Sequence, residues 1–232
     1  MAYVFDPPAI VTIPVARSDA QFPVRRIYCV GRNYAAHARE MGFDPNREPP
    51  FFFCKPANAV RPAIEGTTLT LSYPSKTANY HYEIELVAAI GRAGENIAAA
   101  AALEHVWGYA VGLDMTRRDL QMKMREQGRP WEIGKAFDAS APIGAIVPVA
   151  ECARVHQADL WLKVDGVERQ RGNTAQLIWS VAETIAVLSE FFRLEPGDLI
   201  FTGTPEGVGP VVRGQTLEGG VDDLGTLRVR VV

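Results

Sequence analysis

The segment NYHYEIELVAAIG, residues 79–91, limits the possible folds because it is typical of an apolar strand, yet it carries two glutamates. Side chains two positions apart on a strand point to the same face. Glu83 and Glu85 are therefore expected side by side, with Ile84 and Leu86 on the opposite face. Burial of two adjacent carboxylates requires protonation, an ion pair or a bound cation. The alternative is a half-exposed strand whose glutamates face solvent.

The composition is that of an ordinary globular chain. Its 232 residues, 47% hydrophobic and 22% charged, are enough to bury a substantial core. A net charge of −3 with scattered basic residues argues against nucleic acid as a partner. No apolar run approaches the roughly 20 residues of a membrane span, and the N-terminus does not resemble a signal peptide. These features predict no membrane association and a cytoplasmic location.

The cysteines Cys29, Cys54 and Cys152 are odd in number, far apart and outside any CxxC spacing. This pattern argues against a disulfide framework and against a zinc site. We expect all three to be small core residues.

The order of strand-like and helix-like segments predicts many strands and few helices. Residues 1–24 carry four prolines and are expected to form an extended lead-in, and residues 25–232 show no linker and are expected to form a single domain. Short helices are predicted after RIYCVG, ending at Gly42, and in the Ala-rich stretch 96–104. Asp165-Gly166 predicts a tight hairpin turn. The clearest amphipathic helix is predicted from the spacing of Leu177, Val181, Ile185 and Leu188.

A third carboxylate, Asp114, ends the next apolar strand and can converge with the two glutamates. Carboxylate ligation without His or Cys favours Mg²⁺, Mn²⁺ or Ca²⁺ over zinc. If a helix begins at Asp114, then Arg118 and Gln121 share its face and can hold a substrate carboxylate or a developing oxyanion. The alternative is a solvated, highly charged helix face.

His37 and Glu40 are three residues apart on a predicted short helix, where the carboxylate can orient the imidazole as a general base for water. Such pairs also occur on inert surfaces. His81 shares a strand face with Glu83 and is either a contact to a metal ligand or a structural histidine. Lys135, in an apolar stretch, is either a buried functional amine or a surface residue with its stem packed down.

The glycine-rich segment GTPEGVG, residues 203–209, matches neither the P-loop nor the dinucleotide-binding pattern. We expect an active-site turn here, with Thr202 and Thr204 hydroxyls available to a ligand carboxylate.

Seven stretches, in this order, resemble the fumarylacetoacetate hydrolase family. They run from about residue 25 to the C-terminus: CVGRNYAAHARE, FFFCKP, YHYEIELVAAIG, GYAVGLDMTRRDLQ, GRPWEIGKAFDASAPIG, LWLKVDGVERQ and GDLIFTGTPEGVGP. The resemblance implies a β-rich α+β fold, a mixed β-roll or sandwich with peripheral helices and a short lid helix. It also implies a homodimer.

The resemblance implies one Mg²⁺ or Mn²⁺ per subunit, held by Glu83, Glu85 and Asp114. The family's H-x-x-E motif matches His37 and Glu40, which become candidate catalytic residues on the lid helix. The remaining candidates are Lys135 as a catalytic residue and, for substrate binding, Arg32, Asn33, Arg118, Gln121 and Thr204.

Within the family the chain is most similar to the short acylpyruvase-type members that act on fumarylpyruvate in gentisate breakdown, a route of aromatic catabolism. The resemblance implies a hydrolase of carbon–carbon bonds in ketonic substrates. His37 would take a proton from the water that attacks the C4 carbonyl, releasing fumarate and pyruvate. The distal carboxylate is expected to meet a cation such as Arg32, Arg47 or Lys76. The alternatives are an oxaloacetate decarboxylase, an isomerase or decarboxylase of 2-oxo-diene-dioates, and a non-catalytic binding homologue.

Overall fold

Strands dominate the computed structural model, which describes residues 2–40 and 48–232. The strands in chain order are β1 Thr12–Pro14, β2 Gln21–Pro23, β3 Arg26–Gly31, β4 Phe51–Lys55, β5 Val60–Pro62, β6 Leu69–Leu71, β7 Tyr80–Tyr82, β8 Ile84–Ile90, β9 Val106–Leu113, β10 Thr116–Arg117, β11 Ala141–Ile143, β12 Val147–Pro148, β13 Asp159–Val164, β14 Val167–Asn173, β15 Asp198–Phe201, β16 Gly209–Pro210, β17 Thr216–Val221 and β18 Gly225–Val231.

Helices in the described residues are few and short. The α-helices are α1 Ala35–Glu40, α2 Arg118–Glu126, α3 Glu132–Lys135 and α4 Val181–Phe191, and the 3₁₀ helices are Ala57–Ala59, Ala99–His105, Val149–Glu151, Val155–Gln157 and Thr174–Gln176. None of these helices has the length and apolar character needed to cross a bilayer.

Two larger sheets carry the architecture. A mixed eight-stranded sheet has the order β4-β3-β15-β8-β9-β11-β5, with β12 also paired to β9. A five-stranded sheet has the order β14-β13-β17-β18-β6, and a small sheet joins β10, β7 and β16. The predicted β-rich α+β fold with peripheral helices is confirmed.

Strand β8 runs through the middle of the large sheet and is buried along its whole length. Ile84 and Leu86 contribute to one hydrophobic cluster, and Val87 and Ala89 to a second cluster on the other face. Because side chains alternate along a strand, Glu85 shares the face of Val87. The apolar run that follows the glutamates is thus explained by a strand covered on both faces.

The first 24 residues contribute to the core through the β1–β2 hairpin. Ile13, Val15, Phe22 and Val24 are buried in the same cluster as Val87. The division of the chain at residue 24 stays a prediction.

Several predicted local elements differ from the structure. The Ala-rich stretch is a 3₁₀ helix that begins at Ala99, and the amides of Asn96 and Ile97, which precede it, bond to Ser189 in the last turn of α4. The amphipathic helix begins at Val181 rather than near Leu177. Ser180 caps it, and Glu183 at the third helical position bonds back to the Ser180 amide.

The predicted hairpin turn is present, since Asp165 and Gly166 adopt φ angles of 49° and 80° between β13 and β14. Cys29 and Cys152 are buried as expected, but Cys54 is exposed and the prediction for it was wrong. Cys54 lies between buried Lys55 and half-buried Phe53 on β4, where alternation turns it outward. Gly42, the predicted end of the first helix, lies outside the described residues.

Candidate active site

Three buried carboxylates converge at one end of the β8–β9 pair. Glu83 directly precedes β8, Glu85 lies within it, and Asp114 directly follows β9. The antiparallel register places Glu85 opposite Gly112, and the Asp114 amide donates to the Glu83 carbonyl at 2.9 Å. One oxygen from each carboxylate lies within 4.8 Å of the others. The structure therefore brings together the three carboxylates that the sequence singled out.

Three buried cations surround these carboxylates. Lys135 Nζ lies 2.8 Å from Glu83 Oε2 and 2.6 Å from Asp114 Oδ2. Arg118 Nη2 donates to Glu83 Oε1, and Lys55 Nζ lies 2.8 Å from Asp114 Oδ1. The sequence left open whether Lys135 is a buried amine or a surface residue. In the structure it is buried, with 2% of its surface exposed.

Burial and charge shift the pKa values of the two glutamates in opposite directions. Burial raises the pKa of Glu85 well above its usual range, and the negative charges of Asp114 and Glu83 raise it further. Burial alone would also raise the pKa of Glu83, but the charges of Lys135 and Arg118 outweigh burial and lower it. Glu85 thus has less compensating positive charge around it than Glu83 has.

The donor set fits a hard divalent cation. Asp114 Oδ1 is buried and accepts no hydrogen bond from the described residues, although Lys55 Nζ is close to it. Glu85 Oε2 accepts from the Gly203 amide at 2.8 Å. Carboxylate oxygens without thiolate or imidazole are the ligands of Mg²⁺ or Mn²⁺ rather than Zn²⁺. Glu83, Glu85 and Asp114 are the residues that would hold such an ion.

His37 and Glu40 form a pair at the edge of the same cavity. His37 lines the cavity and is 7% exposed, and its Nδ1 lies 3.1 Å from Glu40 Oε2. A carboxylate partner requires a proton on Nδ1, which leaves Nε2 to accept one. The Gly207 amide donates to both oxygens of Glu40 at 3.1 and 3.2 Å. Glu40 therefore connects α1 to the glycine-rich loop and fixes the tautomer of His37.

Arg118 and Gln121 reach the site from the first turn of α2. Helix α2 begins at Arg118 rather than at Asp114, because the intervening β10 pairs with β7. Arg118 Nη1 donates to Gln121 Oε1 at 2.5 Å, and both side chains are buried and line the cavity. Asp114 reaches the same cavity from the end of β9. The three side chains therefore meet as the sequence predicted, but the prediction that they share one helix face was wrong.

Two of the predicted substrate-binding residues use their side chains in hydrogen bonds within the protein. Asn33 does not line the cavity: its amide donates to the carbonyls of Trp179 and Thr202, and its oxygen accepts from the Trp179 amide. Thr204 lines the cavity, but its hydroxyl donates to the Ile84 carbonyl at 2.7 Å. The Asn33 side chain thus holds the loop, and direct binding of substrate by Asn33 stays a prediction that these contacts do not support.

The Thr202 hydroxyl likewise donates to the Leu86 carbonyl and is not available to a ligand. Of the candidates for a distal carboxylate, Arg32 lines the cavity and Lys76 is an exposed residue that does not. Arg47 lies outside the described residues. His81 lies 3.5 Å from Arg118 Nε, and burial followed by the charge of Arg118 lowers its pKa to about 4.

Sequence reasoning missed two buried residues that contact the site, Lys55 and Gln170. Lys55 follows four half-buried or apolar positions in FFFCK, and a lysine at the end of such a run was the available signal. Gln170 is 1% exposed and bonds to the Ile84 amide, the Thr204 hydroxyl and the Pro205 carbonyl. Its strand, VERQRGN, is polar and gave no sign of a buried amide.

Comparison with known proteins shows the family. The profile described as fumarylacetoacetate (FAA) hydrolase C-terminal matches residues 26–232. The crystal structure of fumarylpyruvate hydrolase from Pseudomonas aeruginosa, in complex with Mn²⁺ and pyruvate, is 66% identical. It superposes with a TM-score of 0.98, covering 100% of this chain and 99% of that one.

Two curated relatives are similar over most of their length. The mitochondrial oxaloacetate tautomerase of Mus musculus is 42% identical over 89% of this chain and 91% of its own. The fumarylpyruvate hydrolase of a Ralstonia species is 44% identical over 81% of this chain and 95% of its own. The chain belongs to the fumarylacetoacetate hydrolase family.

Proposed function

We propose that the protein is a metal-dependent hydrolase that cleaves the carbon–carbon bond of a 2,4-dioxo acid, with fumarylpyruvate as the substrate and fumarate and pyruvate as products. The observation that carries this proposal is that one cavity is lined both by the carboxylate triad and by His37, whose Nδ1 contacts Glu40. Hydrolysis needs a base for water as well as a cation, whereas decarboxylation needs the cation alone. The 66% identical fumarylpyruvate hydrolase supports the choice of substrate.

His37 would take a proton from water through Nε2, while Glu40 stabilises the imidazolium that forms. The water oxygen bonds to C4, and the C3–C4 bond then breaks with its electron pair on C3. The proton held by His37 is returned to C3, so that one water is consumed and fumarate and pyruvate are released.

Lys135, Arg118 and Gln121 would stabilise the oxyanion at C4. All three are buried, and the Glu83 carboxylate lies within hydrogen-bond distance of both the ammonium and the guanidinium. Fixed donors in a water-poor site are worth more than the same donors in bulk water.

A divalent cation, Mg²⁺ or Mn²⁺, bound by Glu83, Glu85 and Asp114 would supply Lewis-acid stabilisation of the negative charge that develops on the pyruvate portion. The Mn²⁺ in the Pseudomonas aeruginosa relative supports this choice of ion. We further propose a homodimer, a cytoplasmic location and a place in gentisate breakdown, which the resemblance to fumarylpyruvate hydrolases supports.

Oxaloacetate chemistry is the second candidate, since the mouse relative is named an oxaloacetate tautomerase. The same site offers the carboxylates that would hold a divalent cation and the flanking side-chain cations that enolisation of oxaloacetate needs. His37 would then act on a carbon-bound proton or have no essential part.

The experiment compares Mn²⁺-loaded protein and protein treated with a chelator on fumarylpyruvate, acetylpyruvate and oxaloacetate, with loss of diketo absorbance and release of pyruvate as readouts. We expect metal-dependent cleavage with the highest kcat/KM for fumarylpyruvate. His37→Ala should lower kcat far more than metal content. Equal or better turnover of oxaloacetate, unaffected by His37→Ala, would replace hydrolysis with oxaloacetate chemistry.

A further inference from the structure

Helix α2 lines the cavity with a stripe of side chains that leads away from the carboxylate triad. Arg118, Gln121, Met122 and Arg125 all line the cavity, and their spacing of three and four residues places them on one face. Arg118 contacts Glu83 at the metal end. Arg125 lies two turns further on, about 10 Å along the helix at a rise of 1.5 Å per residue.

A second guanidinium, that of Arg32, reaches the same part of the cavity from the loop after β3. Arg32 adopts a left-handed φ of 57°, which is unusual for a residue other than glycine, and its guanidinium stacks on the Phe51 ring at 5.1 Å. Burial lowers the pKa of Arg32, the charge of Arg125 lowers it further, and the charge of Glu48 opposes this. The guanidiniums of Arg32 and Arg125 therefore lie close enough to interact, and Glu48 lies close enough to attract that of Arg32.

The wall between the triad and these guanidiniums is largely apolar. Phe51, Phe53 and Trp131 line the cavity, and the Phe51 and Trp131 rings meet edge to face at 5.4 Å between centroids. Such a wall suits a flat, uncharged carbon chain. The cavity is thus polar at the triad, apolar along its length and lined by guanidiniums beside Arg125.

We infer that Arg125 and Arg32 form a receptor for a second carboxylate at the far end of the substrate, and so select seven-carbon dicarboxylates over shorter ones. This inference rests on the proposed function for its substrate class. According to this inference, the arginine pair determines which dioxo acid binds, whereas the triad does not discriminate between them.

Lengths support the assignment. In a seven-carbon dioxo dicarboxylate with C4 at Arg118, the distal carboxyl carbon lies three bonds further on, about 4 Å when extended, given carbon–carbon bonds of about 1.5 Å. Together with a hydrogen bond of about 2.8 Å at each arginine, this spans the ~10 Å between Arg118 and Arg125 along α2. Oxaloacetate ends at C4 and therefore has no carboxylate that reaches Arg125 while C4 lies at Arg118.

The experiment uses two ligands of equal length that do not undergo the hydrolysis: 2-oxoheptanedioate, which has a distal carboxylate, and 2-oxoheptanoate, which has a methyl group instead. Their dissociation constants for the Mn²⁺-saturated protein are measured by calorimetry. The variants are Arg125→Met and Arg125→Lys, with Lys123→Met as a matched control that removes a positive charge from the exposed face of the same helix.

We expect the wild-type protein and Lys123→Met to bind the dioate about tenfold or more tightly than the monoacid, because a charge-assisted hydrogen bond is gained. Arg125→Met should remove that advantage without weakening the monoacid, and Arg125→Lys should keep part of it. Equal affinity of the wild-type protein for both ligands, or an advantage that survives Arg125→Met, would overturn the inference. Because no turnover is needed, a protein that fails to hydrolyse fumarylpyruvate would overturn the proposed function and leave this test intact.

Discussion

Replacing Lys55 by methionine tests how the buried charges of the site are balanced. Among the described residues, the carboxylates Glu83, Glu85 and Asp114 face the cations Lys55, Lys135 and Arg118, so the metal-free cluster is formally neutral. Methionine nearly matches lysine in shape but removes one positive charge. It also removes the ammonium donor to the backbone carbonyls of Met115 and Lys135.

The expected loss follows from the burial of the pair. Lys55 and Asp114 are 2% and 1% exposed, and breaking a buried ion pair by removing one partner costs about 3–5 kcal/mol. That loss in unfolding free energy is predicted for Lys55→Met in the presence of a chelator. With Mn²⁺ bound, the wild-type cluster has a formal charge of about +2, and the Lys55→Met cluster has about +1. Bound Mn²⁺ should therefore restore part of the unfolding free energy that the variant loses.

Urea unfolding with chelator and with saturating Mn²⁺ measures both values, and Mn²⁺ titration followed by electron paramagnetic resonance measures affinity. Recovery of about 1.4 kcal/mol would appear as roughly tenfold tighter Mn²⁺ binding. Lys123→Met, on the exposed face of α2, should change neither quantity. An equal loss of stability with and without Mn²⁺, at unchanged affinity, would refute the charge balance.

Three further outcomes are expected. Glu83→Gln or Asp114→Asn should lose Mn²⁺ and pyruvate release together, and a variant that stays active in chelator would contradict the assignment of the ligands. Glu40→Gln keeps an oxygen for the Gly207 amide but removes the charge beside the imidazole, so kcat should fall by about 10²-fold at unchanged metal content. Burial lowers the pKa of His156, so the folded state binds fewer protons than the unfolded state below about pH 6.5. Unfolding free energy should therefore decline as pH falls below that value, and less steeply in His156→Phe; identical pH slopes in urea titrations would refute the linkage.

The carboxylate triad was predictable because it depends on short-range geometry. Alternation along a strand fixes the shared face of Glu83 and Glu85, and Asp114 stands where the next apolar run ends. The His37–Glu40 contact needs only one turn of helix. The β-rich fold followed from the number of strand-like runs between turn residues.

What the sequence could not supply depends on contacts between distant segments. The lysine at the end of FFFCK signals a candidate buried residue, but the sequence does not tell that its ammonium lies against Asp114, 59 positions away by residue number. Asn33 stands beside a cavity-lining arginine in the chain, yet its amide is used by Trp179 and Thr202, which only the folded loop reveals. The start of α4 was misplaced because periodicity extends through Leu177, whereas the cap at Ser180 sets the boundary.

The central claim is that water cleaves the C3–C4 bond in a site that combines a cation with His37 and Glu40. The most direct test is to incubate Mn²⁺-loaded protein with fumarylpyruvate in oxygen-18 water and to analyse the products by mass spectrometry. The account predicts equal amounts of fumarate and pyruvate, with solvent oxygen in the carboxylate newly formed from C4. Unchanged carbon skeletons, or carbon dioxide released without fumarate, would contradict it.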